Sequence, residues 1–407
     1  MINLLEGVRV IESAVLFNGD QTGRLMGDLG ADVIKVESPG VGDYLRDFLG
    51  QITPHNSPAH LLANRNKRSI TLNLREAEGR DVFFQLLKTA DIFVDGFAAD
   101  ACDRLGIGYE AQRRVKPDII YCQCSGYGAG PYEKIPTHGQ MMGALTGQMP
   151  MKMCDDGLVR PTGEDALADG TMVGASYAVM TALAALIHRE RTGAGARIDA
   201  AGSDAALSTM WFPTLNAWNE HRLTDRKGLA VRSSGDRHGE QGSAKYQVYQ
   251  TKDEKFLIFC CIEHKFWDNF CRAVDRPDLL ENKNEEAPVD FGGGELALRR
   301  ELQSIFHTRT LAEWVTLAVE HDIAMGPCHL RQDLLTDPHL ESRQIVHEEQ
   351  HPDAGPFSTV GWPAPVADQR FEVFRPAPRL SQHTEEVLGE LGLSSDDIGA
   401  LRQRKII

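Results

Sequence analysis

At 407 residues with a formal net charge of −15, the chain is long enough to bury more than one core and too acidic for a generic nucleic-acid binder, which presents a basic field. Apolar residues make up 42% and charged residues 25%, the balance of an ordinary globular protein, and no uninterrupted apolar run of membrane-spanning length stands out. The eight cysteines show neither zinc nor redox spacing, so they read as buried or incidental thiols of a reducing compartment.

The opening MINLLEGVRVIES carries Glu6 and a strand-like run in place of a basic stretch and an apolar signal core, which predicts a cytoplasmic protein. VRVIES predicts a strand, QTGRLMGDLG a helix and ADVIKVE a second strand, closing one β-α-β unit. SITLNL, the periodic GRDVFFQLLKTA and DIFVDGF make another, and DIIYCQCSG is a further buried strand. Strands alternating with helices of this length predict an α/β fold built on a parallel sheet. Ligands of such open sheets bind at the carboxyl ends of the strands. That rule puts Ser38-Pro39-Gly40, Gly96-Phe97 and Ser125-Gly126-Tyr127 on the functional edge.

After Thr192-Gly193 the character changes. The glycine- and charge-rich SSGDRHGEQGSAK (233–245) leads into YQVYQTKDEKFLIFCCI, which reads as a hairpin, and then into the amphipathic HKFWDNFCRAV. NKNEEAPVDFGGGE (282–295) reads as a connection, and LALRRELQSIFHTRTLAEWVTLAVEHD as strongly helical. We expect a large first part over 1–224, a smaller α+β domain over 225–325, and a C-terminal part, 326–407, that returns to the large domain. The last part ends in the Pro-rich turn and short helix of PAPRLSQHTEEVLGELG (376–392).

Two features carry possible chemistry. In GEDALADGTMVGASYAVMTALAALIHRERTG (163–193), Glu164, Asp165 and Asp169 crowd ahead of a long alanine-rich run. One of them could simply cap a buried helix, for which aspartate is well suited. The alternative is a carboxylate held ionised by free backbone N–H groups and the helix dipole. The second feature is NRNKRSITLNLR (64–75), where Arg65, Lys67, Arg68 and Arg75 cluster in an otherwise acidic chain. It reads either as a solvated edge or as the local basic site an anionic ligand would need.

The segments GADVIKVESPGVGDYLR (30–46), NRNKRSITLNL (64–74), RLGIGYE (104–110), SGYGAGPY (125–132), LADGTMVGASYAVMTALAALIHRERTGAGARIDAAGSDA (167–205) and APRLSQHTEEVLGELG (377–392) resemble the class III coenzyme A transferase family, which includes formyl-CoA transferases, carnitine CoA-transferases and α-methylacyl-CoA racemases. The resemblance runs nearly end to end and is densest over 1–200. It implies a Rossmann-like large domain plus a smaller α+β domain, in an interlocked homodimer. It implies coenzyme A as substrate and carrier, with no permanently bound cofactor and no metal. The partners it implies are acyl-CoA and carboxylic acid small molecules, with neither nucleic acid nor membrane.

By motif, the family's catalytic carboxylate falls on Asp169 in Ala-Asp-Gly-Thr. In transferase members this aspartate attacks the acyl-CoA thioester to give a mixed anhydride, and then an aspartyl-CoA thioester that an acceptor carboxylate opens. The following Gly170 leaves room for the thioester. The CoA-contacting positions carried over are Phe17 and Asn18 after the first strand, Leu72 to Arg75, Phe97, and Arg104 for the nucleotide phosphates. Arginine suits phosphate because its planar fork pairs two oxygens.

There are departures. Ser38 stands where many members have arginine, DGFAAD (95–100) replaces a Glu-Asn-Phe-Arg/His-Pro-Gly motif, and Gly139 and Gly143 occupy places that are polar in many transferases. His138 has the spacing to Gly147 at which the racemase branch keeps its histidine, but His-Gly-Gln-Met-Met lacks the rest of that motif. With Asp169 it could exchange an α-proton as an acid/base pair, the alternative to CoA transfer; otherwise it is a loop histidine. GDRHGEQG (235–242) corresponds to a lid in some members. Met141, Met142, Met149, Met151 and Met153 read either as an adaptable wall near the site or as ordinary packing.

Overall fold

The computed structural model describes residues 1–407 except Ala99, Pro150, 162–169, Met210, 225–242, 282–288 and 293–295. Asp169, Glu164, Asp165 and the 235–242 segment therefore lie outside the described residues. The contacts divide the chain into two units, Met1–Ala217 with Ser342–Ile407, and Trp218–Glu341.

The first unit is organised by a six-stranded parallel sheet. Its strands are β1 (Arg9–Ala14), β2 (Asp32–Glu37), β3 (Lys67–Thr71), β4 (Ile92–Gly96), β5 (Ile120–Ser125) and, after a short exposed hairpin of β6 (Met151–Met153) and β7 (Val159–Pro161), β8 (Ala196–Ala201). The spatial order is β3-β2-β1-β4-β5-β8, with registers such as Ile11↔Ile34, Ile11↔Phe93 and Cys122↔Ile198. This is the doubly wound order of dinucleotide-binding sheets, and its direction reverses between β1 and β4.

Five of the six strands are those the buried apolar runs predict. β8 has the sequence ARIDAA, whose alanines carry no strand preference, and it forms by pairing along β5 at one edge of the sheet.

Helices α1 (Phe17–Asp28), α2 (Pro58–Asn64), α3 (Ala77–Leu87), α4 (Ala101–Arg104), α5 (Tyr109–Val115), α6 (Gly139–Leu145), α7 (Gly170–Thr192) and α8 (Gly202–Thr209) accompany the sheet. Because successive strand residues face opposite sides, Val10 and Ile11 enter different cores. Ile11, Ile34, Ile70 and Phe93 pack with Phe83, Leu86 and Leu87 of α3, and with Val387, Leu388, Ile398 and Leu401 from the end of the chain. Val10, Val33, Ile92, Ile120 and Cys122 pack with Ala178, Val179, Ala182 and Leu186 of α7. The C-terminal residues join the sheet side directly: Asn73 N donates to Ile406 O (2.7 Å) and His383 N to Ser69 O (2.9 Å).

By length and composition α7 could cross a membrane. Here its alanine face lies on the sheet, while Tyr177, Met180 and Ile187 on other faces stay exposed.

The second unit contains the expected hairpin, Gln247–Gln250 paired antiparallel with Phe256–Phe259, and a third strand, Met325–Pro327, which the sequence reading leaves unassigned. The strongly helical stretch 296–322 forms two helices, Leu296–Phe306 and Leu311–His321. The break is a capping box in which Thr310 Oγ1 accepts from Glu313 N and Glu313 accepts from Thr310 N. Trp267, Phe259, Phe270, Phe306 and Trp314 form the centre of this unit.

Candidate active site at the carboxyl edge of the sheet

The basic run 64–75 is for the most part not an anion site. Arg65, Lys67 and Arg68 are buried and neutralised by acids from distant parts of the chain. Lys67 Nζ donates to both oxygens of Glu12 (2.9 and 2.7 Å), Arg65 forks onto Asp28 (3.0 and 2.8 Å), and Arg68 holds Asp32 and Glu390. Only Arg75 of the four is exposed.

Glu12, Asp20, Lys35, Asp43 and Lys67 form one fully sequestered cluster under α1. Lys35 Nζ donates to Glu12 (3.1 Å), Asp20 (2.5 Å), Asp43 (3.0 Å) and Ala14 O (3.1 Å). Burial pushes the Asp20 carboxyl well up. Burial also opposes ionisation of Asp43, but the Lys35 ammonium and the Leu45 N–H hold it far below the usual carboxylate range. Three acids thus face two lysines, and each buried charge is met by an opposite one.

That cluster fixes the turn from β1 into α1. Lys35 holds Asp43, and Asp43 Oδ1 accepts from Leu16 N (3.2 Å). Leu16 sits at φ 60°, ψ −155°, an unfavourable conformation for leucine that the surrounding bonds impose. The turn brings Phe17 edge-on to Phe48, with centroids 5.5 Å apart. Asn18 Nδ2 donates to Ser125 O (3.0 Å), tying the end of β1 to the end of β5. Its Oδ1 is buried with no hydrogen-bond partner among the described residues.

At the reversal point the backbones of Gly19 and Gly96 nearly touch. A Cβ on either would lie 2.5 Å from Ala14 Cβ. Phe97, directly after β4, is half-buried against the core, and its N–H donates to Asp95 Oδ1 (3.0 Å). Burial raises the Asp95 carboxyl, which accepts from Tyr121 Oη (2.6 Å).

Beside this edge stand the N-terminal ends of α7 and α8. Gly170, Gly174 and Gly202 cross there with no side chain between them, and Met142 of α6, 4% exposed, fills the gap. His138 is the exposed N-cap residue of α6 and makes no side-chain capping bond. The loop following β5 is held by Asp199, whose Oδ2 accepts from Ala129 N (2.8 Å), and by Ser125 Oγ, which accepts from Gly128 N (2.9 Å). Gly126 lies under Thr137, where a Cβ would sit 2.0 Å from Oγ1.

Phe17, Asn18 and Phe97 therefore gather around the reversal point, with Asn18 also reaching the first turns of α7: its Oδ1 is 3.5 Å from where a Gly174 Cβ would stand. Leu72 and Arg75 follow β3 on the far side of the sheet from β5 and α7. The Leu72 side chain is buried in the core, so only its backbone can meet a ligand. Arg104 ends the short α4, is mostly exposed, and pairs with Asp100 one turn back. The sequence reading does not find Phe48, Asp199 or Gly202, which act through partners far away in the chain. Among the described residues no group of three His, Cys, Asp or Glu side chains is arranged to hold a metal ion.

The sequence matches the model of CoA-transferase family III over residues 5–384. It is 29% identical over 425 aligned positions to the formyl-CoA:oxalate CoA-transferase of Rhodopseudomonas palustris (strain BisA53), covering 98% of this chain and 96% of that one. A formyl-CoA:oxalate CoA-transferase of Streptomyces coelicolor is also 29% identical, over 99% of both chains. Among solved structures, a CaiB/BaiF family protein from Brucella suis superposes with a TM-score of 0.73 at 25% identity, covering 96% of this chain and 100% of that one.

Proposed function

The chain belongs to CoA-transferase family III, and on that premise we propose that it moves coenzyme A from an acyl-CoA to a carboxylic acid through the side chain of Asp169. The observation that carries the reading is the junction at Gly170. This residue, next in the chain to Asp169, opens a 23-residue helix whose second turn, at Gly174, lies beside Asn18 near the reversal point of the sheet. The first N–H groups and dipole of such a helix favour a carboxylate there, and a carboxylate nucleophile must stay ionised.

The reaction balances in four steps. An Asp169 oxygen attacks the thioester carbonyl, forming an aspartyl-acyl anhydride and releasing CoA thiolate. The thiolate attacks the aspartyl carbonyl, giving aspartyl-CoA thioester and the donor carboxylate. An acceptor carboxylate then attacks this thioester, expelling thiolate and forming a second anhydride. Finally the thiolate takes the acceptor's acyl group and restores the Asp169 carboxylate.

In this reading Phe17, Asn18, Phe97 and the Leu72 backbone line the CoA path, and Arg75 and Arg104 meet its phosphates. Their exposure supports the role, since an exposed pair such as Arg104–Asp100 is easily exchanged for a phosphate. CoA acts as substrate and carrier, with no permanently bound cofactor. Two chains form an interlocked homodimer, a proposal supported by the exposed Tyr177, Met180 and Ile187 of α7 and the open edge of β8. A cytoplasmic location accords with eight cysteines that are all free thiols.

Isotope exchange tests the reaction class. The account expects CoA transfer only when an acceptor carboxylate is present, with no deuterium uptake at the α-carbon of the acyl-CoA. Acceptor-independent α-exchange that disappears in His138→Ala would replace transfer with the His138–Asp169 acid/base reaction.

A further inference from the structure

We propose that Met142 is a positioning residue for the Asp169 carboxylate, setting through its thioether the place of the first residue of α7; the proposal rests on Asp169 being the reacting group. α7 and α8 approach each other through glycines. A Cβ at Gly174 would come within 3.1 Å of Gly202 Cα, and one at Gly202 within 3.0 Å of Gly170 O. At this glycine crossing neither helix supplies a side chain of its own; their direct side-chain tie, Tyr177 Oη to Ser208 Oγ (3.1 Å), lies further along both helices.

The third helix does. Met142 Sδ lies 2.3 Å from the Cβ position of Gly202 and 2.9 Å from that of Gly170, and Met142 Cβ lies 2.7 Å from the latter. The side chain is therefore wedged against the backbones of both glycines. Methionine suits the place because its unbranched thioether fills irregular space.

The wedge is itself anchored. Gln148 Nε2, just beyond α6, donates to Ala206 O of α8 (2.6 Å), and Gln148 N donates back to Gly143 O (3.0 Å). Tyr127 Oη, in the loop after β5, donates to Met141 O (3.3 Å). Through these bonds α6 is locked to α8 and to the sheet edge, and Met142 passes that reference on to Gly170. Because Gly170 is bonded to residue 169, the wedge fixes the backbone point from which the Asp169 carboxylate is proposed to act. A misplacement of about 1 Å costs on the order of 100-fold in rate.

The wedge bears on the backbones of Gly170 and Gly202 and not on Arg75 and Arg104, proposed to meet the CoA phosphates, so its loss should fall on kcat more than on KM. Met142→Ala is expected to lower kcat about 10- to 100-fold, with KM for acyl-CoA within about twofold. Met142→Leu, similar in volume, should restore most of it. Gly202→Ala pushes a methyl group into the space of Met142 Sδ and should be nearly inactive, whereas Gly202→Ala with Met142→Ala should regain activity over Gly202→Ala alone.

The decisive reading is the single-turnover rate at which full-length enzyme, given formyl-CoA or succinyl-CoA and quenched with hydroxylamine, gains hydroxamate at residue 169, measured per folded molecule. Slowed labelling in Met142→Ala, near-normal labelling in Met142→Leu and rescue in the double variant support the proposal. If wild type labels at Asp169 but Met142→Ala labels equally fast, the positioning role is wrong while the Asp169 reading stands. If wild type does not label at Asp169, the Asp169 reading falls and the proposal with it. Should Met142→Ala not fold, Met142→Val carries the same comparison. A merely structural role would lower the melting temperature and leave the rate per folded molecule unchanged.

Discussion

Arg65, Lys67 and Arg68 share one basic run with Arg75, yet the fold puts them to different uses. The first three disappear beneath α1 and β2, matched to Asp28, Glu12 and Asp32. Their partners are dozens of residues away, so the sequence shows the cations but not their neutralisation. Of this run Arg75 stays exposed, as does Arg104, the other cation proposed to meet the CoA phosphates. Arg104 gives little to stability, because its partner Asp100 is also exposed. Replacing it with alanine should therefore leave the melting temperature within a degree or so, since surface changes typically stay within about 0.5 kcal/mol. The same change should raise KM for acyl-CoA about tenfold, the scale of one lost charge-assisted bond of ~1.5 kcal/mol. Steady-state kinetics with acyl-CoA varied checks both KM and kcat, and an unchanged KM would remove Arg104 from the phosphate site.

At the scale of elements, legibility followed burial. β1, β2, β4 and β5 are apolar runs bounded by turn residues and could be read directly. β8 could not, because ARIDAA is a strand only by virtue of lying against β5. The helical run 296–322 hid its break in Thr310-x-x-Glu313, a signal present in the sequence but masked by continuous apolar periodicity. The candidate site was legible in part: the glycines and aromatics after β1 and β4 lie where the sheet rule puts them, whereas the crossing of α7, α8 and Met142 depends on three segments meeting.

The hairpin of strands Val346–His351 and Gly355–Val360 carries a prediction of its own. Arg65 Nη1 donates to Val360 O (2.7 Å) and lies 3.6 Å from the buried Glu349. Burial, reinforced by Asp28 and opposed by Arg65, pushes the Glu349 carboxyl up to about 7. A carboxyl raised in the folded state favours folding most while protonated. That contribution is complete below the unfolded value near 4.5 and is lost as pH rises through about 7. Glu349→Gln should therefore melt at the same temperature as wild type or lower at pH 5, and higher at pH 8. Thermal scans across that range check it, and a variant less stable than wild type at pH 8 would contradict it. Arg65 keeps its two bonds to Asp28 in the variant.

The whole molecule joins a doubly wound sheet, closed by the end of its own chain, to a second unit with an antiparallel sheet. α7 ties the scales together. Its alanine face builds the core, its second turn reaches Asn18 at the reversal point, and its Tyr177, Met180 and Ile187 stay exposed. Apolar side chains of that size along one helix are costly to leave in water. Light scattering on the purified chain should give twice the 45.0 kDa of one copy, and Met180→Glu should weaken the pair. A monomer at micromolar concentration would contradict the homodimer.

The central claim is that Asp169 forms covalent bonds to the acyl group and then to CoA. Mass spectrometry of the peptide spanning 162–189, after incubation with acyl-CoA and quenching with hydroxylamine, tests it most directly. The account predicts hydroxamate at Asp169 in wild type, and neither label nor transfer in Asp169→Asn. Full transfer activity in Asp169→Asn, or label on another residue with Asp169 untouched, would contradict it.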